Sequence, residues 1–397
     1  MIDYGLKELA TKVLQDADGG NYTYFAGAPC QSSNLSALAA LGWAALGNQT
    51  RAYQELANLV EMRDDQGMIP ALAFEYGAHK LDITPSDWGT KTSSDGRRIS
   101  GIAGLPLGAL ALRLIYTVFP NKKMAEAFLP HLHASNVFYL TERNFQASQQ
   151  PILIHPQETT RPSGFEWEAS LSNISQDRET AERKLIQYGK DAHWHQFVLA
   201  NQNQFRVLDP GATAILSMAC HNVSEIAEEI NEEIMAAESE MLAFSIAASL
   251  NARRKEALIP TDDLVYNTSD IYLSSSQALT LLSTSLAAPT LAHLRHHVLD
   301  GDLSHPYGLR SLPPSHPSYV SDSPDNGAVD LVATWLTIQG LRFHGEIAAA
   351  QTLKNSWLEG ITLSQMKPYL DADKYLGLGD GSPALASLVL WEDHEQR

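Results

Sequence analysis

The stretch 155–168, HPQETTRPSGFEWE, concentrates the groups of this sequence best able to move protons. Three carboxylates (Glu158, Glu166, Glu168), Arg161, His155 and Trp167 lie together there. Pro156 and Pro162 forbid a regular helix, because proline lacks the amide hydrogen and restricts the residue before it. Such a loop is either a solvated connector or the rim of an active site. In the second case one glutamate faces a cavity with a raised pKa and serves as general acid or base. Glu158, with Arg161 as ion partner, and Glu166 are the candidates. His155 either assists or fixes the loop through a hydrogen bond.

Asp330 opens an apolar stretch. It is either a helix-capping carboxylate or a cavity group that moves a proton or binds a cation. Asp325 poses the same choice, and Asp371 and Asp373 are weaker forms of it. Trp88, Trp167, Tyr307 and Tyr319 supply ligand walls unless they are packed in the core. His193 and His195 diverge if helical, and His293, His296 and His297 read as surface residues. The sequence has no HExxH and no CxxC, and its only cysteines are Cys30 and Cys220. We therefore expect no metal and no cofactor.

Helices must hold these groups. Residues 34–46 are Ala/Leu-rich and apolar nearly all round, as in a buried helix, whereas 51–62 is amphipathic. The alternation recurs at 103–118 and 122–140, 212–221 and 224–244, 273–286 and 289–298, and 328–344 and 346–359, and 384–391 closes the chain. Residues 1–16 and 178–188 read as further helices, 193–197 as a short helical stretch, and strands are few. The period is too irregular for a short-repeat solenoid. Buried helices inside a layer of half-buried ones suit an all-α (α/α)6 toroid, a six-hairpin barrel in one domain over 1–397. A non-closing helical array is the alternative. Long segments at 63–100, 150–175, 300–327 and 365–381 exceed ordinary connectors and would line the mouth.

The chain of 397 residues is 44% hydrophobic and 19% charged, enough for a large core. Its net charge of −18 argues against nucleic acid or an anionic membrane as partner. No apolar run reaches the length of a membrane span, and the N-terminus lacks a signal-peptide core. A cytoplasmic protein with a small-molecule substrate is expected, and the oligomeric state is not legible.

Six segments also follow one another in a familiar order. They are SNLSALAALGWAALGNQTRAYQELANLVEMRDDQGM (33–68), GLPLGALALRLIY (104–116), HPQETTRPSGFEWE (155–168), FRVLDPGATAILSMA (205–219), PYGLRSLPPSHPSY with NGAVDLVATWLTIQGLRFHG (306–345), and YLDADKYLGLGDGSPALASLVL (369–390). Together they resemble the glycoside hydrolase family 63 group that includes bacterial mannosylglycerate and glucosylglycerate hydrolases. The resemblance implies the (α/α)6 fold. It matches His155, Pro156, Glu158, Arg161 and Trp167, and it places the general acid at Pro162 and the base at Pro368 or Leu376. None of those three side chains can carry a proton. Sugar-gripping positions fall on Gln31, Ser32, Gly104 and Gln157, and cavity positions on Asp325 and Asp330. A small shift would make Glu166 the acid, with Asp371 or Asp373 left for the base.

Inverting hydrolysis needs two carboxyl groups, one protonated and one activating water. With both positions replaced on a retained framework, the sequence leads us to expect a different chemistry. That expectation is a cofactor-independent, acid–base catalysed cyclisation, isomerisation or elimination of an apolar or cationic metabolite. Glu158 or Glu166 would pair with Asp330, and His155 would assist. A glycoside hydrolase with relocated carboxylates is the second reading, and a non-catalytic ligand-binding protein the third.

Overall fold

Six apolar segments form helices that touch in a closed cycle. Ser33–Ala45 packs against Gly108–Val118, which packs against Pro210–Glu229. That helix meets Ser275–Leu279 and the 3-10 turn Thr280–Leu282, which meet Leu331–Phe343. Pro383–His394 completes the cycle between Leu331–Phe343 and Ser33–Ala45. Outer helices Gln49–Glu61, Lys122–Thr141, Glu233–Arg253, Ala288–Leu299 and Ile347–Ser364 cover them. This computed structural model describes residues 13–15, 21–25, 28–74, 89–93, 96–144, 146, 149–379 and 382–395. The architecture is the all-α (α/α)6 toroid.

Small residues let the ring close. A side chain on Gly42 would come within 2.7 Å of the Ser387 backbone, and one on Gly340 equally near Leu281. On the far side of the closure a buried ion cluster ties three helices. Glu392 accepts from Trp335 Nε1 (2.9 Å), Gln339 Nε2 (3.2 Å) and Arg342 (2.9 Å), and it pairs with the buried Lys354.

The rim departs from the sequence expectation of plain loops. Among the described residues it carries three small antiparallel sheets. The six-stranded sheet includes Ala28–Ser32, Leu72–Phe74 and Arg98–Ser100. The second runs Ser304–His305, Gly308–Arg310, Val329–Asp330, Tyr369–Leu370 and Gly377–Leu378. The third joins Val207–Leu208 to Thr261–Asp263 and Thr268–Asp270. Strands of two or three residues leave almost no alternation to read.

Several element boundaries differ from expectation, among them the inner helix expected over 273–286, which is Ser275–Leu279 with the 3-10 turn Thr280–Leu282. Val13–Gln15 is a strand, while most of the helix expected over 1–16 lies outside the described residues. The helix expected to end at 221 continues to Glu229, and the turn falls at 230–232, where Asn231 takes φ 66°. Asparagine tolerates that left-handed conformation, and residues 222–223 contain no breaker. His193 and Trp194 are likewise left-handed (φ 51° and 53°), so 193–195 is a turn and no short helix. The Trp194 indole is buried against Gly101 and Gly189, where no Cβ would fit.

Candidate functional site

The inner helices present capped N-termini to the rim. Asp209 precedes Pro210, and proline at the first helical position needs no amide partner. Asp209 Oδ1 accepts from the Gly211 (2.8 Å) and Ala212 (3.3 Å) amides and from Ser276 Oγ (2.5 Å). Oδ2 accepts from Thr160 N (2.7 Å) and Oγ1 (2.8 Å), which pins the 155–168 loop over the ring. Asp330 repeats the device. Its Oδ1 accepts from Val332 (3.0 Å) and Ala333 (2.9 Å), and among the described residues no hydrogen bond uses Oδ2.

Arg161 links these two ends. It is fully buried, and its Nε donates to the Asp325 carbonyl at 3.1 Å. Its Nη1 stands 3.1 Å from Glu166 Oε1. Phe165 and Tyr272 lie beside the guanidinium, each ring centroid 5.8 Å away. His316 packs against Phe165 with its ring tilted, centroids 4.3 Å apart. Asp325 Oδ2 accepts from Ser163 N at 2.5 Å. Asn326 accepts from Phe165 N at 2.9 Å and so fixes the turn that delivers Glu166.

Glu166 thus pairs with this guanidinium, and the carboxylates of Asp325, Asp209 and Asp330 lie within its field. Burial is the largest influence on Glu166 and pushes its pKa up to about 7, with Arg161 opposing and Asp209 reinforcing. Burial likewise pushes Asp330 up to about 7, against the Ala333 and Val332 amides and with help from Asp325. Asp325 is raised by burial, opposed by Arg161. Arg161 stays charged, because Glu166, Tyr272, Asp325 and Asp209 outweigh its own burial. Tyr272 and Tyr369 are driven well above the ordinary phenol range, first by burial and then by Glu166 or Asp330. Burial therefore biases both Glu166 and Asp330 toward their protonated forms.

The surroundings match a known family. Residues 28–381 fit the model of the mannosylglycerate hydrolase MGH1-like glycoside hydrolase domain. The chain belongs to this family. The mannosylglycerate hydrolase of Thermus thermophilus is 23% identical, covering 96% of this chain and 99% of that protein. Mannosylglycerate hydrolase MGH1 of Selaginella moellendorffii is 22% identical over 94% and 82% of the two chains. The crystal structure of a GH63 mannosylglycerate hydrolase from Thermus thermophilus in complex with glucose superposes with a TM-score of 0.86, at 23% identity over 98% and 99% of the chains. Neutral trehalase Nth1 of Saccharomyces cerevisiae gives 0.59 at 11% identity, over 99% and 80% of the chains. Membership of a glycoside hydrolase family favours hydrolysis over the cyclisation, isomerisation or elimination expected from the sequence.

Within this MGH1-like chain the sequence candidates separate. Glu166, Asp325 and Arg161 come together, with Asp330 within the field of Asp325 and Arg161. Glu158 stands apart in the wall. Its carboxylate accepts from the Ala103 and Ile154 amides and from Arg143 Nη1, all at 2.7 Å, and both partners of the ion pair are buried. Those contacts suit a clamp between loop and ring better than proton transfer. His155 accepts from Gln157 N at 3.2 Å, and burial depresses its pKa to about 3, so it remains neutral. Trp167 is buried edge-on to Phe205 (5.6 Å) and donates to the Arg161 carbonyl at 2.8 Å. It supports the loop from beneath.

Tyr307 belongs to a neighbouring group with His305 and Tyr375, and Tyr319 lies beside Gly327. Tyr307 meets Tyr375 edge-on at 5.2 Å. Tyr319 is raised by burial and Asp373. Asp371 accepts from the Asp373 (2.9 Å) and Lys374 (3.0 Å) amides, and together with Lys374 these hold its pKa down despite burial. Asp373 is exposed. Trp88 lies outside the described residues. Sequence reasoning missed Asp209, Tyr272, Tyr369 and Arg143. The Asp209-Pro210 pair was a readable capping signal. Tyr272, in an irregular stretch, had none. Among the described residues, no group of three or more His, Cys, Asp or Glu side chains is placed to hold a metal. No helix among them is long and apolar enough to cross a membrane.

Proposed function

We propose that the chain is a glycoside hydrolase for a small glycoside, with proton transfer carried by Glu166 and Asp330. One observation carries this reading: two buried carboxyls both have their pKa pushed up to about 7, Glu166 beside Arg161 on the 155–168 loop and Asp330 capping the inner helix Leu331–Phe343 within the field of the same arginine. A general acid must be protonated at the working pH, and a base must not be. Groups near neutrality can serve as either. Glu166 replaces the acid that the family resemblance places at Pro162 on the same loop. Asp330 replaces the base that it places at Pro368 or Leu376. Asp330 suits the base role better than Asp371, whose pKa is lowered by turn amides and Lys374. The Asp330 Oδ2 atom is the one left to accept a proton from water.

Mannosylglycerate, glucosylglycerate and α-glucosides are the first substrates to assay. Hydrolysis that falls about 100-fold or more in Glu166→Gln and in Asp330→Asn is the expected result. Hydrolysis unaffected by either substitution would overturn the assignment. The loss of a proton carrier at 162 and at 368 or 376 supports a second reading, in which the same pair catalyses cyclisation, isomerisation or elimination without adding water. Inactivity on every glycoside, with turnover of a non-glycosidic metabolite that both variants abolish, would favour it. Binding without turnover would favour a non-catalytic role.

A further inference from the structure

The outer helix Glu233–Arg253 has two apolar faces. One, formed by Ser239, Ala243, Ile246, Ala247 and Leu250, is buried against the ring. The opposite face carries Ile234, Ala237, Met241, Phe244 and Ala248, all exposed. Ile234, Met241 and Phe244 expose 78%, 65% and 66% of their surface. Three large apolar side chains so open on one helix are uncommon on a free surface. Their spacing of three, four, three and four residues is that of a coiled-coil seam. It runs about 21 Å along the helix.

We propose that this face pairs with the same face of a second copy of the chain, antiparallel, about a two-fold axis at Met241. The order of residue sizes selects that register. With Met241 facing its own copy, Ile234 falls opposite Ala248 and Ala237 beside Phe244, so Ile234 and Phe244 each meet an alanine while the unbranched, adaptable Met241 packs on Met241. A parallel pairing would stack Phe244 on Phe244 and Ala237 on Ala237. An isologous contact of this kind closes as a dimer and does not propagate.

The charges agree with the register. Glu228, Glu232 and Glu233 gather at the helix start, and Arg254 with Lys255 at its end. Antiparallel pairing brings the acidic end of each copy to the basic end of the other. A chain with net charge −18 repels its own copy over most of its surface, and this seam is a place where opposite charges meet instead. The acidic residues nearest the axis are engaged within the chain. Glu240 accepts from His221 at 3.0 Å, and Glu238 lies 3.6 Å from His133.

Sedimentation velocity on the full chain tests the proposal. A dimer is expected for the wild type. Met241→Glu, which sets two like charges across the axis, should give a monomer with unchanged circular dichroism and melting temperature. Met241→Cys should form a covalent dimer under mild oxidation, whereas Ile234→Cys should not, because Cys30 and Cys220 are buried and only position 241 faces itself. A wild type that stays monomeric at all concentrations overturns the inference, even if another protein covers the face. So does a dimer that survives Met241→Glu. Cross-linking at 234 but not at 241 overturns the antiparallel register.

Discussion

Glu166 folds back over Gly164, so closely that a Cβ on Gly164 would lie within 2.6 Å of Glu166 Oε1 and 2.5 Å of its Cδ. The glycine is what lets the carboxylate turn inward to Arg161 rather than outward to solvent. Two residues of spacing therefore determine whether this side chain is an exposed rim charge or a buried acid near pKa 7.

Gly164→Ala should thus impair activity without unfolding the protein. The added methyl displaces Glu166 from Arg161 and returns it toward solvent, where its pKa falls. Turnover should drop by about 10-fold or more, while the melting temperature shifts by only a few degrees, as for a loop change of about 1 kcal/mol. Parallel activity and thermal assays check this. Unchanged turnover would detach Glu166 from the chemistry.

Glu158 should behave in the opposite way. It satisfies Arg143 and two loop amides in a fully buried setting. Glu158→Ala leaves Arg143 charged, buried and short of its counter-ion, so a loss of about 3–5 kcal/mol in urea unfolding is expected. The activity that remains should follow the folded fraction. A variant as stable as the wild type but inactive would return Glu158 to the catalytic set.

Ring closure can be tested at Gly42. A Cβ there meets the Ser387 backbone at 2.7 Å, and the backbone cannot rotate aside. Gly42→Ala should cost about 1–3 kcal/mol by overpacking, measured by denaturant midpoint. A neutral effect would show that the first and last inner helices are not in contact.

The two raised carboxyls also predict a pH dependence of stability. Glu166 and Asp330 move from ordinary values of 4.5 and 3.8 up to about 7 on folding. Between those limits the folded chain holds more protons than the unfolded one. Their contribution is therefore complete at the acid end and is lost as pH rises through about 7. Against the double variant Glu166→Gln, Asp330→Asn, the wild type should lose at most about 1.4 kcal/mol per group per pH unit across that window. The comparison cancels the contrary effect of His155, which is depressed on folding. A pH-independent difference in unfolding free energy would contradict it.

The ring was legible because its signals are long. Alternating apolar and amphipathic stretches of a dozen residues survive in any sequence that must bury one helix layer inside another. The site was less so. Asp330 announced itself as a charge at the head of an apolar run. Whether Glu158 or Glu166 turned inward depended on Arg143 and Tyr272, which are distant in sequence and unremarkable in composition. The rim sheets were invisible, since pairs such as Val329–Asp330 with Tyr369–Leu370 are too short to show a period. The end of the Pro210–Glu229 helix depended on one left-handed asparagine that looks like any other.

The central claim is that Glu166 and Asp330 titrate near neutrality. Carboxyl carbon-13 NMR of protein labelled at Glu and Asp measures it directly. The account predicts one glutamate and one aspartate resonance with midpoints near pH 7, the first absent in Glu166→Gln and the second in Asp330→Asn. Spectra in which every side-chain carboxyl titrates below about pH 5 would contradict it.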